Sequence, residues 1–148
     1  MTRSTQRSWK IALITPEVHP FAKTGGLGDV AGALPAAFER AGAEVTVITP
    51  YFRQFHPAAA RSLAQAPFVQ AGAERQVEFL EGTLPGTGVR VLFIDSPPEF
   101  DRPGIYGEEG RDYPDNALRF GLFCQAAILE TEEHTSELQS PNTTSYAV

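Results

Sequence analysis

The sequence predicts an α/β fold, a doubly wound, mostly parallel sheet with one β-hairpin. Three observations predict it. Short continuous apolar runs at 11–14, 45–48 and 89–94 suit strands buried on both faces. Between the first two, apolar residues recur at helical spacing, so strand, helix and strand form a βαβ unit with parallel strands and a right-handed crossover. A Pro-Gly-Thr-Gly turn signal at 85–88 joins the partly alternating stretch 77–84 to the run at 89–94, which reads as a hairpin whose second strand enters the core sheet.

Taken in order, residues 1–9 are polar and expected to be disordered, and 10–15 form the first strand. Pro16 and Pro20 hold off helix until after the glycines that follow. From 27 to 41, Val30, Leu34, Ala37, Phe38 and Ala41 define a helix, with a kink or a break into two segments expected at Pro35 and a stop at Gly42. Residues 51–66 show no period, and Arg53 and His56 there read as solvated. Asp95 ends the hairpin's second strand, at the carboxyl edge where open α/β sheets bind ligands. Residues 97–110 form a loop rich in Pro, Gly and charge, of a length that marks functional loops. Asp112 or Tyr113 then caps a helix with Pro114 at its first position and Asp115 in its first turn. Because 117–129 is apolar nearly all round, that helix should be buried, with Cys124 as a core residue. Residues 131–148 carry no period and read as a disordered tail, including an Asn142-Thr143-Thr144 sequon.

The chain of 148 residues is one domain in size, and its 42% hydrophobic content is ordinary for a globular protein. A net charge of −6 without a basic run excludes nucleic acid and anionic membranes as partners. A single cysteine excludes a disulfide within the chain. No apolar run reaches the length of a membrane span, and the first one stops at Thr15-Pro16-Glu17, unlike a signal sequence. These features fit a cytoplasmic enzyme or binding domain.

Against that acidic background stands Lys23-Thr24-Gly25-Gly26-Leu27-Gly28-Asp29-Val30, placed between a strand and a helix. Glycines allow close approach of a ligand to the backbone, the helix start offers unpaired N–H groups and a positive dipole end, and Lys23 adds a full charge. The combination suits a phosphate or diphosphate. It is not a P-loop, because the lysine and threonine precede the glycines. Gly26-x-Gly28-x-x-Ala31 matches the dinucleotide fingerprint formally, but it sits far beyond the strand and the second strand ends without a ribose-binding acid.

Larger blocks carry a resemblance. Glu17-x-x-Pro20-x-x-Lys23-Thr24-Gly25-Gly26-Leu27-x-Asp29-Val30, then Gly32-Ala33-Leu34-Pro35, Asp101-Arg102-Pro103-Gly104-x-Tyr106, and Tyr113-x-Asp115-Asn116-x-x-Arg119-Phe120 resemble, in order, segments of bacterial glycogen synthases and plant starch synthases. The resemblance spans residues 10–130 and places a proline in the first helix. It implies the N-terminal Rossmann-like half of a GT-B fold, in an enzyme that transfers glucose from ADP-glucose to the non-reducing end of an α-1,4-glucan with retention, without a cofactor or metal. It further implies that Lys23 faces the diphosphate, that Gly25 and Gly26 offer it backbone N–H groups, and that Glu17 and Tyr106 line the sugar end. The main catalytic residues are expected in the C-terminal half.

The motifs stop near Glu130, which points to a truncated or frameshifted product, inactive alone. Plainer readings stand beside these roles: Glu17 as a solvated loop acid, Tyr106 as a packing residue, and Asp29 as a helix-start residue. His19 and His56 lack metal-ligand spacing. Asp95 and Asp101 are not placed as an acid/base pair by the sequence. Two other functional classes remain, a nicotinamide-dependent oxidoreductase using the Gly26–Gly28–Ala31 pattern and a non-catalytic phosphate- or glucan-binding module.

Overall fold

The structure, a computed structural model, describes residues 8–55, 59–136 and 145–147, with side chains through residue 132. In chain order the elements are β1 (Lys10–Ile14), α1 (Gly26–Arg40), β2 (Glu44–Pro50), β3 (Arg61–Gln70), β4 (Ala73–Thr83), β5 (Arg90–Asp95), α2 (Pro97–Phe100), β6 (Gly107–Glu108), β7 (Arg111–Asp112), α3 (Asn116–Ser136) and β8 (Ser145–Ala147).

Six strands form one sheet in the order β3-β4-β5-β2-β1-β8. β1, β2 and β5 run parallel, with Leu13 opposite Val47 and Val47 opposite Val91. β4 returns antiparallel to β5, as the turn signal predicts, and β3 extends the hairpin outward. Apolar runs rather than alternation mark the central strands because both faces are covered. Val47, Val91 and Phe93 pack with Phe21 and Ala31 on the α1 side. Their neighbours Ile48, Leu92 and Ile94 pack with Leu122, Phe123, Ala126 and Ala127 of α3 on the other. Each such aliphatic side chain, fully buried, stabilises the fold by about 1.5–3 kcal/mol.

α1 runs unbroken through Pro35, whose ring is buried, rather than dividing into two segments. It ends as predicted. Gly42, at φ +91°, takes the left-handed position after the helix and donates its N–H to the Glu39 carbonyl at 2.9 Å.

Several elements differ from expectation. β3 occupies part of the stretch without a period. It is an edge strand, mostly exposed, and only Ala66 and Phe68 pack against the α3-side core. Its turn into β4 uses Ala71 and Gly72, both at positive φ, so the usual Asn-Gly or Asp-Gly signal is missing. The 97–110 loop opens with the single helical turn α2. α3 begins at Asn116, two residues after Pro114, and runs to Ser136 instead of ending near Leu129. Residues 145–147 pair parallel with β1, where sequence reading expected no element. Further expectations, the disorder of residues 1–7 and 137–144, the solvation of His56 and the sequon at 142–144, lie outside the described residues.

Cys124 is not a core residue. It is exposed, as are Leu118 and Ile128 on the same helix. The sheet covers one side of α3, while Leu118, Cys124 and Ile128 on its other side are exposed among the described residues. A thiol reagent is therefore expected to label Cys124 rapidly in the folded chain, and slow labelling would place the helix's outer face in a contact.

Gly32 is required by packing. A Cβ there would lie 2.7 Å from the His19 carbonyl oxygen, a backbone atom in the segment leading to α1. Gly32→Ala should destabilise the domain by about 1–3 kcal/mol in urea unfolding, as overpacking does.

Candidate functional site

The chain leaves the carboxyl end of β1 through Thr15, Pro16 and Glu17, turns back on itself, and reaches α1 through Lys23, Thr24 and Gly25. The reversal is fixed by backbone bonds between Val18 and Ala22 at 2.9 and 3.0 Å and contains a cis His19–Pro20 bond. The His19 N–H donates to the Gly28 carbonyl at 3.0 Å, which clamps the turn onto the first turn of the helix.

Glu17 is buried, with 3% of its surface exposed, so it is not a solvated loop acid. Its carboxylate collects four donors. Oε2 accepts the Thr24 N–H at 2.8 Å and, at a longer 3.4 Å, the Gly25 N–H. Oε1 accepts the Thr24 hydroxyl and the Tyr106 hydroxyl, each at 2.7 Å. Burial by itself would raise the Glu17 pKa. The hydrogen bonds from Thr24, Tyr106 and Gly25 outweigh it and hold the carboxyl below its ordinary value. Burial and the same carboxylate push the Tyr106 hydroxyl well above its ordinary range, so it remains a donor.

Tyr106 is held from the other side as well. Its carbonyl accepts the Tyr113 N–H at 2.9 Å and the Asn116 side-chain amide at 2.8 Å, and its ring lies 5.6 Å from that of Phe120. The loop around it is pinned by Arg119, which is fully buried. Arg119 donates to the Glu99 carbonyl at 2.6 Å, the Ile105 carbonyl at 3.0 Å and Asn116 Oδ1 at 2.7 Å, with its guanidinium over the Tyr113 ring. Arg102 clamps Asp115 through both carboxylate oxygens, at 2.8 and 2.6 Å. Asp115 thus serves this ion pair just outside α3, and its carbonyl accepts the Arg119 N–H.

Lys23 sits on the exposed rim of the loop. Its Nζ lies 2.7 Å from each oxygen of Asp29, and both side chains face solvent. Such exposed pairs contribute about 0–1 kcal/mol, so Asp29 holds the ammonium only weakly. Gly25, the N-cap of α1, supplies no side-chain cap, so the first-turn N–H groups of 26–28 have no partner from that source. A Cβ at Gly25 or Gly26 would meet nothing within 4 Å, and neither residue has a positive φ. Neither glycine is demanded by the fold as it stands, and the space above both is open. Gly28 differs, because its Cβ would crowd Lys23 Cβ and Cγ at 3.0 Å.

Of the residues expected in the site, Tyr106 and Gly25 both meet Glu17 directly at its carboxylate, and Lys23 and Gly26 flank them. Thr24 and Asp29 complete the cluster. Thr24 shows no distinct signal beyond its place in the loop, whereas Asp29 is six residues from Lys23, within reach across a turn. Asp95 does not pair with Asp101. It is buried at the carboxyl end of β5 and bound by Arg53, which is therefore an ion-pair partner rather than only solvated. Burial raises the Asp95 pKa despite Arg53. Gly26 and Gly28 lie within α1 and not in a tight strand-to-helix turn, which removes the geometry of a nicotinamide site. Among the described residues no group of three or more His, Cys, Asp or Glu is placed to hold a metal.

A doubly wound sheet with a glycine loop, an exposed lysine and a helix start at its carboxyl edge is an α/β domain of the kind glycosyltransferases are built from. The chain belongs to the starch synthase catalytic domain family, whose model matches residues 10–141, past the last motif legible near 130. It is 45% identical over 121 residues to a glycogen synthase of Syntrophotalea carbinolica, covering 80% of this chain and 25% of that protein. Glycogen synthase 2 of Nitrosococcus oceani is 43% identical over 124 residues, with 80% and 24% covered. The catalytic domain of starch synthase IV from Arabidopsis thaliana, solved with ADP and acarbose, superposes with a TM-score of 0.71 at 29% identity, covering 93% of this chain and 27% of that one. The chain thus spans about a quarter of the length of these relatives. Its fold is that of the GT-B starch synthases, Rossmann-like as expected.

Because the folded state holds Glu17 below its ordinary value of 4.5, the ionised carboxylate stabilises the fold above that pH. That contribution disappears as pH falls through the lowered value. Glu17→Gln should destabilise the domain by about 1–3 kcal/mol near neutral pH, and should flatten the loss of stability measured by urea unfolding below about pH 4.5. An unchanged acid profile would mean the carboxylate is not the group that holds the loop.

Proposed function

We propose that this domain receives the diphosphate of ADP-glucose in an α-1,4-glucan glucosyltransferase, a glycogen synthase working in the cytoplasm. The observation that carries the reading is the open, carboxylate-anchored glycine loop with Lys23 on its rim, in a chain of the starch synthase family. The Arabidopsis neighbour's ADP supports a diphosphate as the anion.

Transfer breaks the bond between glucose C1 and the phosphate oxygen and forms one from C1 to a hydroxyl of the glucan's non-reducing end. Negative charge grows on the departing ADP. Lys23 exchanges Asp29 for that charge, and the N–H groups of Gly26 and the residues after it point toward it from the helix start. The Gly25 N–H is directed to Glu17, so the contribution of Gly25 is clearance for the ligand. Glu17 and Tyr106 underlie the sugar end. With four donors on its carboxylate, Glu17 shapes this floor and is not a free base. The α-1,4-glucan is the acceptor that this domain also receives, and the main catalytic groups that act at C1 belong to the C-terminal half of the family's fold.

The test is a chimera in which residues 10–130 replace the matching segment of the Syntrophotalea carbinolica enzyme. It should transfer glucose from ADP-glucose to glycogen. Lys23→Ala in it should lower kcat/KM for ADP-glucose by about a hundredfold, the usual effect of losing a donor to developing charge. Gly26→Val should impair turnover while changing stability by no more than about 1 kcal/mol. Normal kinetics in both variants would reduce the loop to a turn.

A further inference from the structure

Two helix N-termini on opposite faces of the sheet are joined by one line of hydrogen bonds across its carboxyl edge. At one end, Asn116 at the start of α3 and the Tyr113 N–H grip the Tyr106 carbonyl. In the middle, the Tyr106 hydroxyl donates to Glu17 Oε1 at 2.7 Å. At the other end, the same carboxylate holds the Thr24 N–H and hydroxyl and the Gly25 N–H, the last residues before α1. Tyr106 and Glu17 are 89 positions apart in sequence, and α1 to α2 lie between them. The Tyr106 hydroxyl makes the side-chain bond that ties the 101–113 loop to the carboxylate holding the glycine loop.

We propose that Tyr106 is a positioning residue that acts on the glycine loop through Glu17. It need not touch the anion that the loop binds. The reason is the single carboxylate. Thr24, Gly25 and Tyr106 are all aligned by one buried carboxylate, so withdrawing the Tyr106 hydroxyl leaves Oε1 short of a donor and frees the carboxylate to turn out of line with Thr24 and Gly25. Movement of the 101–113 loop, on the sugar side, is thereby transmitted to the N–H groups on the diphosphate side. The inference rests on the proposed function for the meaning of those two sides, while the coupling itself is a property of the chain without ligand.

Amide hydrogen exchange in the ¹⁵N-labelled chain, followed by NMR, tests it. Tyr106→Phe keeps the ring against Phe120 and removes only the hydroxyl. It should speed exchange at Thr24 and Gly25 by about tenfold, the effect expected for a hydrogen bond to a charged group. Amides in the middle of β2, β5 and α3 should keep their rates, a distinction that general destabilisation would erase. In a Glu17→Ala background, the same substitution should add little further acceleration, because its route has been removed. Unchanged rates at Thr24 and Gly25, an equal speeding of all amides, or full additivity in the double variant would each overturn the proposal. The measurement uses no ligand. Failure of the chimera to transfer glucose would therefore count against the proposed function alone, and failure of the exchange pattern against this coupling alone.

Discussion

Glu17 carries a charge into a place almost without water, and that charge is sustained by four converging donors. Removing a carboxylate from water costs several kcal/mol even after relaxation, and hydrogen bonds to an ion return about 1.5–3 kcal/mol each. The account closes only when all the donors are in place together. This is why the carboxylate dictates geometry. It fixes where Thr24 and Gly25 stand, hence where α1 begins and which N–H groups are left facing outward. Gly32 and Gly28 serve the same end from below, by letting the helix lie directly on the His19–Lys23 turn.

The rim contrasts with this floor. Lys23 and Asp29 are exposed and paired with each other, an arrangement that holds the lysine at the rim of the loop only weakly. Rigidity below and exchange above are what a site for a leaving diphosphate needs. Donors must be aimed in advance at the charge that develops, and the mobile cation must be released without disturbing them.

Much of this was legible in the sequence, for identifiable reasons. Buried strands write themselves as apolar runs, which is why β1, β2 and β5 stand out. The hairpin was marked by its Pro-Gly turn, and Gly42 by the left-handed conformation it adopts. The glycine loop, Lys23, Glu17 and Tyr106 were singled out by motif and resemblance. Their meeting was not derivable by spacing, because Tyr106 approaches Glu17 only through tertiary packing fixed by Arg119 and Asn116. β3 escaped because an exposed edge strand needs few apolar residues and its turn lacks the usual glycine signature. Cys124 was misplaced because an apolar helix implies burial on all sides only where a second layer covers it. Here Leu118 and Ile128 on α3, like Leu27 and Val30 on α1, remain exposed. The extension of α3 and the pairing of residues 145–147 came from polar sequence, where periodicity gives no guide.

The central claim is that the carboxylate-fixed loop is a diphosphate site. Its most direct measurement is a titration of the ¹⁵N-labelled chain with ADP, followed through backbone amide shifts. The account predicts changes centred on residues 23 to 29, largest at Gly26 and Leu27, and reproduced by inorganic pyrophosphate. Saturable changes elsewhere with none in this segment, or no response at millimolar ADP, would contradict it.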